Sequence, residues 1–546
     1  MKLETFFEKF ELFADSPNAV AKMRELVLEL AFSGGLSGKR ATANAVPDGW
    51  ESRTIESISA SISSGFACSR SHQVENGHIH LRTHNISTLG TLNFDLLVRI
   101  DPKMVDPKKS SIRAGDILFN NTNSQELVGK TSLVDRDYDY GYSNHINRIR
   151  LKDGIFPGFV VFYLTLLRNS GYFARLCTRW INQAAVNTDM LKEQTIPLPP
   201  LAEQKRIVAK VDELMALCDR LEAQQQEREE KHKALSRASL ARFADAPTPA
   251  NLQFIFHPSY TIAPADLRKS ILTLAVQGKL VPQDPNDEPA EPAVAQIEKE
   301  RERLIAAKQF RRSQLSGPLD EGPFDIPKTW IWTHLGNAML NVTDGFHSTP
   351  KTVESGVRYV TAKHVKPGLI DFDSCLFVSE DDFKEIASKT RPRKGDVLVV
   401  NIGAGSGLAS IIEADFEFAF KNVAILNRPE EVDSKFLFNY LVFKRDDIFE
   451  EQTKGGAQPF LSLGLIRQIP FPLPPHAEQR RIVAKVDELM KLVDALETQL
   501  AASRATAANL LAAIVAELTG TPNTAKASVP ASTGTGTGRR GRPPKS

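Results

Sequence analysis

One stretch of sequence occurs twice in this chain and decides its architecture. The residues AEQKRIVAKVDELM at 202–215 return as AEQRRIVAKVDELM at 477–490, and the copies differ only by lysine at 205 and arginine at 480. Each copy follows a proline-rich segment, 196–200 in the first and 469–475 in the second. Proline fixes the backbone dihedral φ and lacks an amide hydrogen, so a new element begins after each segment. The repeat indicates an internal duplication in which the two copies share one job.

The duplication extends toward the N-terminus of each copy. Shorter matches pair 24–36 with 268–280, 47–50 with 327–330, and 113–119 with 393–399, while 281–325 is an insertion in the second half. We therefore predict six segments: an N-terminal helical arm (1–46), a first variable domain (47–198), a central helical region with a connector (199–325), a second variable domain (326–473), a C-terminal helix (474–520) and a basic tail (521–546).

Apolar residues after each proline-rich segment follow the alternating three- and four-residue spacing of a coiled coil. The second seam consists of Ile482, Val486, Leu489, Val493, Leu496, Leu500, Ser503, Ala507, Leu510 and Ile514. The first consists of Ile207, Val211, Leu214, Cys218 and Leu221, a polar middle of Gln225, Arg228 and His232, and then Leu235 and Ser239. We predict helices at 203–243 and 477–518, each about 60 Å long at about 1.5 Å per residue, that pair antiparallel. The alternative is two separate amphipathic helices, each lying on its own domain.

The two variable blocks alternate apolar and polar residues over short runs that predict strands. Examples are 116–119 and 131–134 in the first block and 396–400 and 409–412 in the second, followed by apolar helical stretches at 159–167 and 436–443. The fold class is therefore α+β, with two globular α/β domains separated by two long antiparallel coiled-coil helices in a pseudo-repeat.

Composition is that of a soluble globular protein, with 42% hydrophobic and 25% charged residues. The net charge of +2 hides an asymmetry, because the tail holds five basic residues and no acid, and the rest of the chain is slightly acidic. Any nucleic acid must therefore bind through local patches or with the help of a partner. Four cysteines far apart in sequence, and no apolar run long enough to span a membrane, favour the cytoplasm.

Motifs for catalysis are weak. Gly129-Lys130-Thr131 resembles the end of a phosphate-binding loop but lacks its first glycine, so it is read as the entry to a strand. The glycine loop 403–407 has no βαβ unit around it, which argues against a nucleotide or S-adenosylmethionine site there. No cysteine or carboxylate pattern that would complete a metal site accompanies His72, His78, His80 and His84. We therefore expect these histidines to face DNA or solvent. We expect a non-catalytic chain without a bound metal.

The stretch 199–208, its repeat at 474–483, and the RKSIL…GKL pattern of 268–280 resemble the specificity subunit of type I restriction–modification systems. The resemblance covers about residues 15–520. It implies that 47–198 and 326–473 are target-recognition domains that each read one half of a split double-stranded DNA target. It also implies that the helical regions dock two adenine methyltransferase (modification) subunits, which restriction/translocase subunits join, and that S-adenosylmethionine, ATP and magnesium bind to these partners. The alternatives are a coiled-coil scaffold that binds only proteins, and a self-contained restriction enzyme, which the missing catalytic motifs disfavour.

Candidate DNA contacts follow from position and chemistry, because asparagine and glutamine pair with adenine edges and arginine or lysine with guanine. They are Arg82, His84, Asn85 and Asn121 in the first domain and Lys363, His364, Asn401 and Gln458 in the second. Each has the alternative of being an ordinary polar loop residue. In the tail, Arg540-Gly541-Arg542-Pro543 resembles an AT-hook, whose arginines would enter a narrow minor groove; the alternative is a non-specific basic end.

Candidate partner contacts lie off the coiled-coil seam yet recur in both helices. Glu203, Gln204, Arg206 and Lys210 return as Glu478, Gln479, Arg481 and Lys485. Solvent-exposed charged residues usually change identity between repeats, so the retention of these residues predicts a shared docking surface. The alternative is capping of the helix start. The charged stretch 298–304 predicts a connector helix, either a solvated spacer or a further docking element.

Overall fold

The computed structural model describes residues 10, 14, 16, 18–37, 46–88, 90–180, 183–257, 260–313, 315–346, 349–387, 390, 392–403, 405–453 and 460–519. Gln458 and the tail residues Arg540 and Arg542 lie outside these ranges. The chain divides into two compact units, the first formed by 1–228 with 501–546 and the second by 229–500. Below, domain 1 denotes residues 47–198 and domain 2 residues 326–473.

The described helices lie between the strands of each domain and at the domain boundaries. They are α1 (Ala19–Phe32), α2 (Ile55–Ile58), α3 (Pro157–Asn169), α4 (Tyr172–Leu176), α5 (Thr188–Lys192), α6 (Leu201–Asp245), α7 (Pro249–Ile255), α8 (Pro264–Val276), α9 (Glu291–Ala306), α10 (Leu335–Ala338), α11 (Glu380–Ala387), α12 (Ser434–Thr453), α13 (Leu463–Gln468) and α14 (His476–Thr519). The helices α6 and α14 are the two long helices of the repeat. None of the described helices is both long and apolar enough to cross a membrane.

The strands fall into the two domains. Domain 1 holds β1 (Glu51–Thr54), β2 (Ser59–Ser64), β3 (Gln73–Leu81), β4 (Arg99–Ile100), β5 (Ile117–Asn120), β6 (Thr122–Asn123), β7 (Thr131–Leu133), β8 (Gly141–Tyr142), β9 (Ile146–Leu151), β10 (Thr178–Trp180), β11 (Gln183–Ala185) and β12 (Thr195–Leu198). Domain 2 holds β13 (Ile331–His334), β14 (Asn341–Asp344), β15 (Val357–Thr361), β16 (Val365–Lys366), β17 (Leu369–Ile370), β18 (Leu376–Val378), β19 (Val397–Val400), β20 (Ala409–Ile411), β21 (Ala419–Lys421), β22 (Val423–Asn427) and β23 (Pro470–Leu473).

The two domains share the strand order of two sheets. The four-stranded sheet is β2-β9-β5-β7 in domain 1 and β14-β22-β19-β20 in domain 2, and the matching three-stranded sheet is β4-β3-β8 in domain 1 and β18-β15-β21 in domain 2. Domain 1 also has the sheet β10-β11-β6 and domain 2 the pair β16-β17, neither with a described counterpart in the other domain. Within the three-stranded sheets β3 pairs parallel with β8, and β15 pairs parallel with β21. The mixed α/β fold and its duplication therefore agree with the sequence prediction, although the sequences of the two blocks have diverged.

The first and last strands of each domain are paired. Strand β1 runs antiparallel to β12 with Glu51 opposite Leu198, and β13 runs antiparallel to β23 with Ile331 opposite Leu473. Each domain therefore begins and ends side by side. The last strand overlaps the proline-rich segment, which leads straight into α6 or α14. The strands end at the paired prolines 199–200 and 474–475, which lack the N–H groups that would continue the ladder of hydrogen bonds.

Each unit builds its helical core from the same parts. In unit 1, Met23 and Val27 of α1 share a core cluster with Ile207 and Val211 of α6 and with residues 511, 514 and 518 of α14. In unit 2, Leu267 and Ile271 of α8 share a cluster with Ile482 and Val486 of α14 and with Phe243 of α6. The helices α1 and α8 thus have one role, which is to cover the start of a long helix.

Matching ion pairs hold these short helices to the long ones. In unit 1, Arg24 Nη2 lies 2.7 Å from Asp219 Oδ1 and 2.7 Å from Glu222 Oε2. In unit 2, Arg268 lies 2.6 Å from Asp494 and 2.8 Å from Glu497.

The predicted seam differs from the buried face at three places, one of which is the exposed Ser503 of α14. Leu510 is 36% exposed and Leu511 is fully buried, so the apolar face of α14 shifts by one residue near its end. In α6, Leu235 of the predicted seam is 48% exposed, whereas Phe243, which is not part of the predicted seam, is buried. A straight helix has 3.6 residues per turn, so a strict heptad pattern drifts off its face unless the helices supercoil.

The connector helix α9 has one face buried against domain 2. Its Ile297, Arg301 and Leu304 are buried. The Arg301 guanidinium donates to the carbonyl oxygens of Met339, at 2.7 Å, and Asn337, at 2.5 Å. Burial lowers the pKa of Arg301. The interpretation of this segment as a solvated spacer is therefore wrong, because the arginine caps the end of α10.

Candidate nucleic-acid interface and domain–helix junctions

The first cluster of candidate DNA contacts falls in equivalent turns of the two domains. In domain 1 the turn follows β3, and the Asn85 side-chain oxygen accepts from the backbone N–H of Arg82 at 2.8 Å. In domain 2 the turn follows β15, and His364 Nδ1 accepts from the backbone N–H of Thr361 at 2.9 Å. The sequence thus picked out one structural position in both domains.

Two members of these turns are internal rather than accessible. Asn85 is fully buried and donates to the carbonyl oxygens of Asn93 and Leu96 at 2.9 and 2.8 Å, and His364 is only 2% exposed. These two side chains hold the turns in shape and cannot reach a base edge in this structure. Asn85 and His364 are therefore withdrawn as base-reading candidates.

A buried lysine also braces the first turn, and sequence reasoning assigned it only to a strand entry. The Lys130 ammonium donates to the carbonyl oxygens of Thr83 and Ile86 at 2.8 and 2.7 Å. Burial lowers its pKa. No local motif signals this role, because its partners lie more than 40 residues away along the chain.

The other members of the turns are accessible. Arg82 is half-buried and donates to the Cys68 carbonyl at 3.0 Å, which places the segment after Cys68 beside the turn. His84 and Lys363 are exposed, as are further basic residues that sequence reasoning missed: Arg70, His72, Lys351 and Lys366. We call these six exposed residues, together with the half-buried Arg82, the basic rim of the two domains. Arginine and lysine on such a rim suit phosphate contacts, which position a protein on DNA.

Asn121 and Asn401 occupy equivalent positions after β5 and β19, and both are buried. The Asn121 amide donates to Asn147 Oδ1 at 2.9 Å and to the Asn144 carbonyl at 3.1 Å. Asn401 is 5% exposed; its backbone carbonyl accepts from the backbone N–H of Leu461 at 2.8 Å, and its side-chain oxygen has no partner among the described residues. The Asn121 side chain organises the end of its strand and is withdrawn as a base reader, whereas Asn401 stays a prediction.

The histidine cluster of domain 1 has a buried member. His80 is fully buried, its Nε2 lies 3.1 Å from the Phe66 carbonyl, and desolvation lowers its pKa to about 4. A neutral, buried ring packed against Phe66 is a structural residue. No group of three or more potential metal ligands occurs among the described residues.

The buried members of the partner-docking set form a junction between each domain and its long helix. Trp50 Nε1 donates to Glu203 at 3.1 Å, and Trp330 Nε1 donates to Glu478 at 2.8 Å. The glutamates are 5% and 0% exposed. The tryptophan stands at the start of each domain and the glutamate in the first turn of the helix that follows it, so the pair ties the domain to the helix.

The neighbouring glutamines complete the same junction. Gln204 accepts from the Phe156 N–H at 2.8 Å and donates to the Pro199 carbonyl at 2.8 Å. Gln479 accepts from the Asp433 N–H at 2.7 Å and donates to the Pro474 carbonyl at 2.9 Å. Contacts inside the chain therefore account for the recurrence of the four buried residues, and Glu203, Gln204, Glu478 and Gln479 are withdrawn as docking candidates.

The remaining docking candidates lie at the surface. Arg206 is exposed, whereas Arg481 is paired with Asp287 of the connector at 3.0 Å. Lys210 pairs with Glu213 at 3.0 Å and Lys485 with Glu488 at 2.9 Å, both along their own helix. In the second half the connector therefore pairs with Arg481, and among the described residues of the first half no ion pair is found for the equivalent Arg206.

Comparisons with known proteins agree with this architecture. The family model described as type I restriction modification DNA specificity domain matches residues 47–230 and 349–503. The specificity subunit of the type I restriction enzyme EcoAI from Escherichia coli is 29% identical over 334 residues, 58% of this chain and 56% of that protein. That of EcoEI, also from Escherichia coli, is 28% identical over 363 residues, 61% of this chain and 59% of that protein.

The chain thus spans less than two thirds of the length of these relatives. A solved structure concerned with complex assembly and conformational transition of the type I R-M system contains a chain that is 20% identical, with a TM-score of 0.49. It covers 87% of this chain and 98% of that one.

Proposed function

Because the chain belongs to the type I restriction–modification DNA specificity family, we propose that it is the DNA-reading subunit of such a complex. Domain 1 reads one half of a split target and domain 2 reads the other. The chain directs adenine methylation and restriction by its partners and carries no active site of its own.

The observation that carries this proposal is the duplication of domain and junction together. Two domains that share the strand order of two sheets are each fixed to an equivalent long helix by the same tryptophan, glutamate and glutamine. Two readers, each on an equivalent support, suit a target of two separated parts. The scaffold alternative gives no reason for two diverged domains that keep exposed basic residues at the same turn.

The long helices act in this proposal as the spacer between the readers. They pair antiparallel as a coiled coil, which the shared cores of α6 and α14 support: the start of α6 with the end of α14 in unit 1, and the reverse in unit 2. A coiled coil is a stiff element, so its length would fix the number of base pairs between the half-targets.

The partners are two methyltransferase subunits and the restriction/translocase subunits. The accessible residues Arg206, Lys210, Arg481 and Lys485 are the docking candidates that remain on the helices. S-adenosylmethionine, ATP and magnesium would bind to these partners. On the DNA side the basic rim contacts phosphates, and the tail residues Arg540 and Arg542 add minor-groove contacts that strengthen binding without choosing the target.

Methylation-aware sequencing tests the proposal directly. The chain is expressed with its methyltransferase subunit in a host that lacks adenine methylation of this kind, and N6-methyladenine is mapped across the genome. We expect one split motif with a fixed spacer, methylated only when both proteins are present. Methylation that is absent, or that occurs equally without the chain, would overturn the proposal.

A further inference from the structure

Unit 1 contains an open cavity of about 480 Å³ between domain 1 and the first turns of α6. Its walls are apolar and are formed by Leu92, Phe94, Leu133, Phe156, Val161, Phe162 and Val208. Two carboxylates, Asp135 and Asp212, belong to the same lining. The cavity therefore combines apolar walls with negative charge, and this combination suits a side chain that carries a cation on an aliphatic stem.

The second half of the chain supplies an internal comparison for this cavity. Phe156 and Asp433 donate their backbone N–H groups to the equivalent glutamines Gln204 and Gln479. Three residues later, Phe159 and Phe436 meet the equivalent tryptophans with ring centroids 6.1 Å apart in both halves. The starts of α3 and α12 are therefore matched residue by residue.

This match pairs Gly158 with Lys435 and Val161 with Phe438, and the helix repeat pairs Asp212 with Asp487. In the second half, Lys435 Nζ lies 2.5 Å from Asp487 Oδ2. In the first half, glycine stands where the lysine would be, and valine stands in place of the larger phenylalanine. The first half therefore lacks, beside its cavity, the two larger side chains that the second half carries at the matched positions.

We propose that this cavity binds a lysine or arginine side chain presented by the methyltransferase subunit. This inference rests on the proposed function and names a contact site for the partner. The alkyl stem of the partner's side chain would lie against Phe156, Phe162 and Val208. Its cationic head would pair with Asp212, as the head of Lys435 pairs with Asp487 within the chain.

The charges at the cavity support this occupant. Partial burial raises the pKa of the Asp212 carboxyl. Asp135 accepts a hydrogen bond from Tyr138 at 2.8 Å and lies in the same lining. Two carboxylates repel phosphate, so the cavity does not suit DNA.

The proposal makes the two methyltransferase sites unequal. In the first half the partner would supply the basic side chain, whereas in the second half the equivalent aspartate already pairs with Lys435 of the chain itself. The first site therefore binds the partner more tightly than the second.

The test compares Gly158→Lys and Asp212→Asn with the matched control Asp487→Asn in the second half. The full chain is titrated calorimetrically with purified methyltransferase subunit, and thermal unfolding confirms that each variant is folded. We expect two sites of unequal affinity in the wild type, with the tighter one weakened about tenfold or more in both cavity variants, since tenfold corresponds to about 1.4 kcal/mol. The control should bind as the wild type does.

The outcomes separate this inference from the proposed function. If Gly158→Lys binds the methyltransferase subunit as tightly as the wild type, the cavity proposal is wrong and the proposed function stands. If Asp212→Asn and Asp487→Asn weaken binding equally, a general loss of charge explains the effect and the cavity proposal is again wrong. If the wild type binds no methyltransferase subunit, the proposed function itself fails.

Discussion

Two equivalent aspartates show how the diverged domains solve one problem with different residues. Asp116 and Asp396 stand before β5 and β19, and each is 2% exposed. The Asp116 carboxylate pairs with Arg150, whose Nε and Nη2 lie 2.7 and 2.8 Å away. Asp396 instead accepts from the Asn427 amide at 2.7 Å and from the Arg428 backbone N–H at 3.1 Å. Desolvation without a paired arginine raises the pKa of Asp396 to about 6.

This raised pKa gives domain 2 a pH dependence that Asp396→Asn should remove. The folded state holds the proton more tightly than the unfolded state, so the stabilisation is complete below about pH 4. It is lost as the pH rises through about 6. The loss is at most about 3 kcal/mol, because one pKa unit corresponds to about 1.4 kcal/mol.

The measurement is the free energy of unfolding by urea across this pH window in wild type and variant. We expect the difference between the two proteins to change with pH and to level off on either side of the window. Asp116→Asn is the matched control. It leaves Arg150 without its carboxylate and should destabilise the protein at neutral pH. A difference between wild type and Asp396→Asn that is constant with pH would contradict the assigned pKa.

At the scale of elements, the junctions decide how firmly each domain is held on its helix. Replacing Trp330 by phenylalanine keeps the apolar ring but removes the N–H that donates to the buried Glu478. Loss of a hydrogen-bond donor to a buried carboxylate lowers the free energy of unfolding by about 1–3 kcal/mol. We expect Trp330→Phe, and likewise Trp50→Phe, to lower the free energy of unfolding by this amount.

Trp332→Phe is the control for the junction variants, since Trp332 packs edge-on against Phe324 in the connector and no described hydrogen bond joins it to α14. Differential scanning calorimetry gives the comparison. Equal destabilisation by Trp330→Phe and Trp332→Phe would mean that the indole N–H contributes little and that ring packing alone holds the junction.

The long helices should set the spacing of the target. Deleting one heptad within 222–235 shortens α6 by about 10 Å, or roughly three base pairs at about 3.4 Å each. Because α14 keeps its length, we expect lost assembly or a shorter spacer, read by methylation-aware sequencing. A variant of unchanged length with alanine at the exposed Glu229 and Lys233 should keep the wild-type spacer. An unchanged spacer and full activity after the deletion would show that the helices do not set it.

At the scale of the whole molecule, the domains should be exchangeable. The pairing of β1 with β12 brings the ends of domain 1 together, so a related block can replace 47–198 without altering α6. We expect the exchange to change one half of the methylated motif and leave the other half and the spacer intact. The replacement must keep a tryptophan at the position of Trp50, which contacts Glu203. A change in both half-motifs together would contradict the model of two independent readers.

Much of the architecture could be predicted from the sequence because it is written in local patterns. The seam spacing predicted helices at 203–243 and 477–518, and they lie at Leu201–Asp245 and His476–Thr519. Strand predictions such as 116–119 and 409–412 match β5 and β20 within a residue or so at each end. Hydrophobic periodicity and proline position depend only on neighbours along the chain, so the sequence alone is enough to detect them.

The roles of single polar residues were decided only by the tertiary structure. Glu203 and Asn121 seemed fit for a partner or for DNA by their chemistry, yet folding buries both against residues distant in sequence. The recurrence of Glu203 as Glu478 recorded a shared function of the two helices, but not whether that function faced inward or outward. A polar side chain can be buried only where it finds a partner, and that partner is a tryptophan from the far end of the domain. The repeat, the fold class and the family follow from local sequence patterns, whereas contacts between distant parts of the chain show which of the repeated residues hold the chain together.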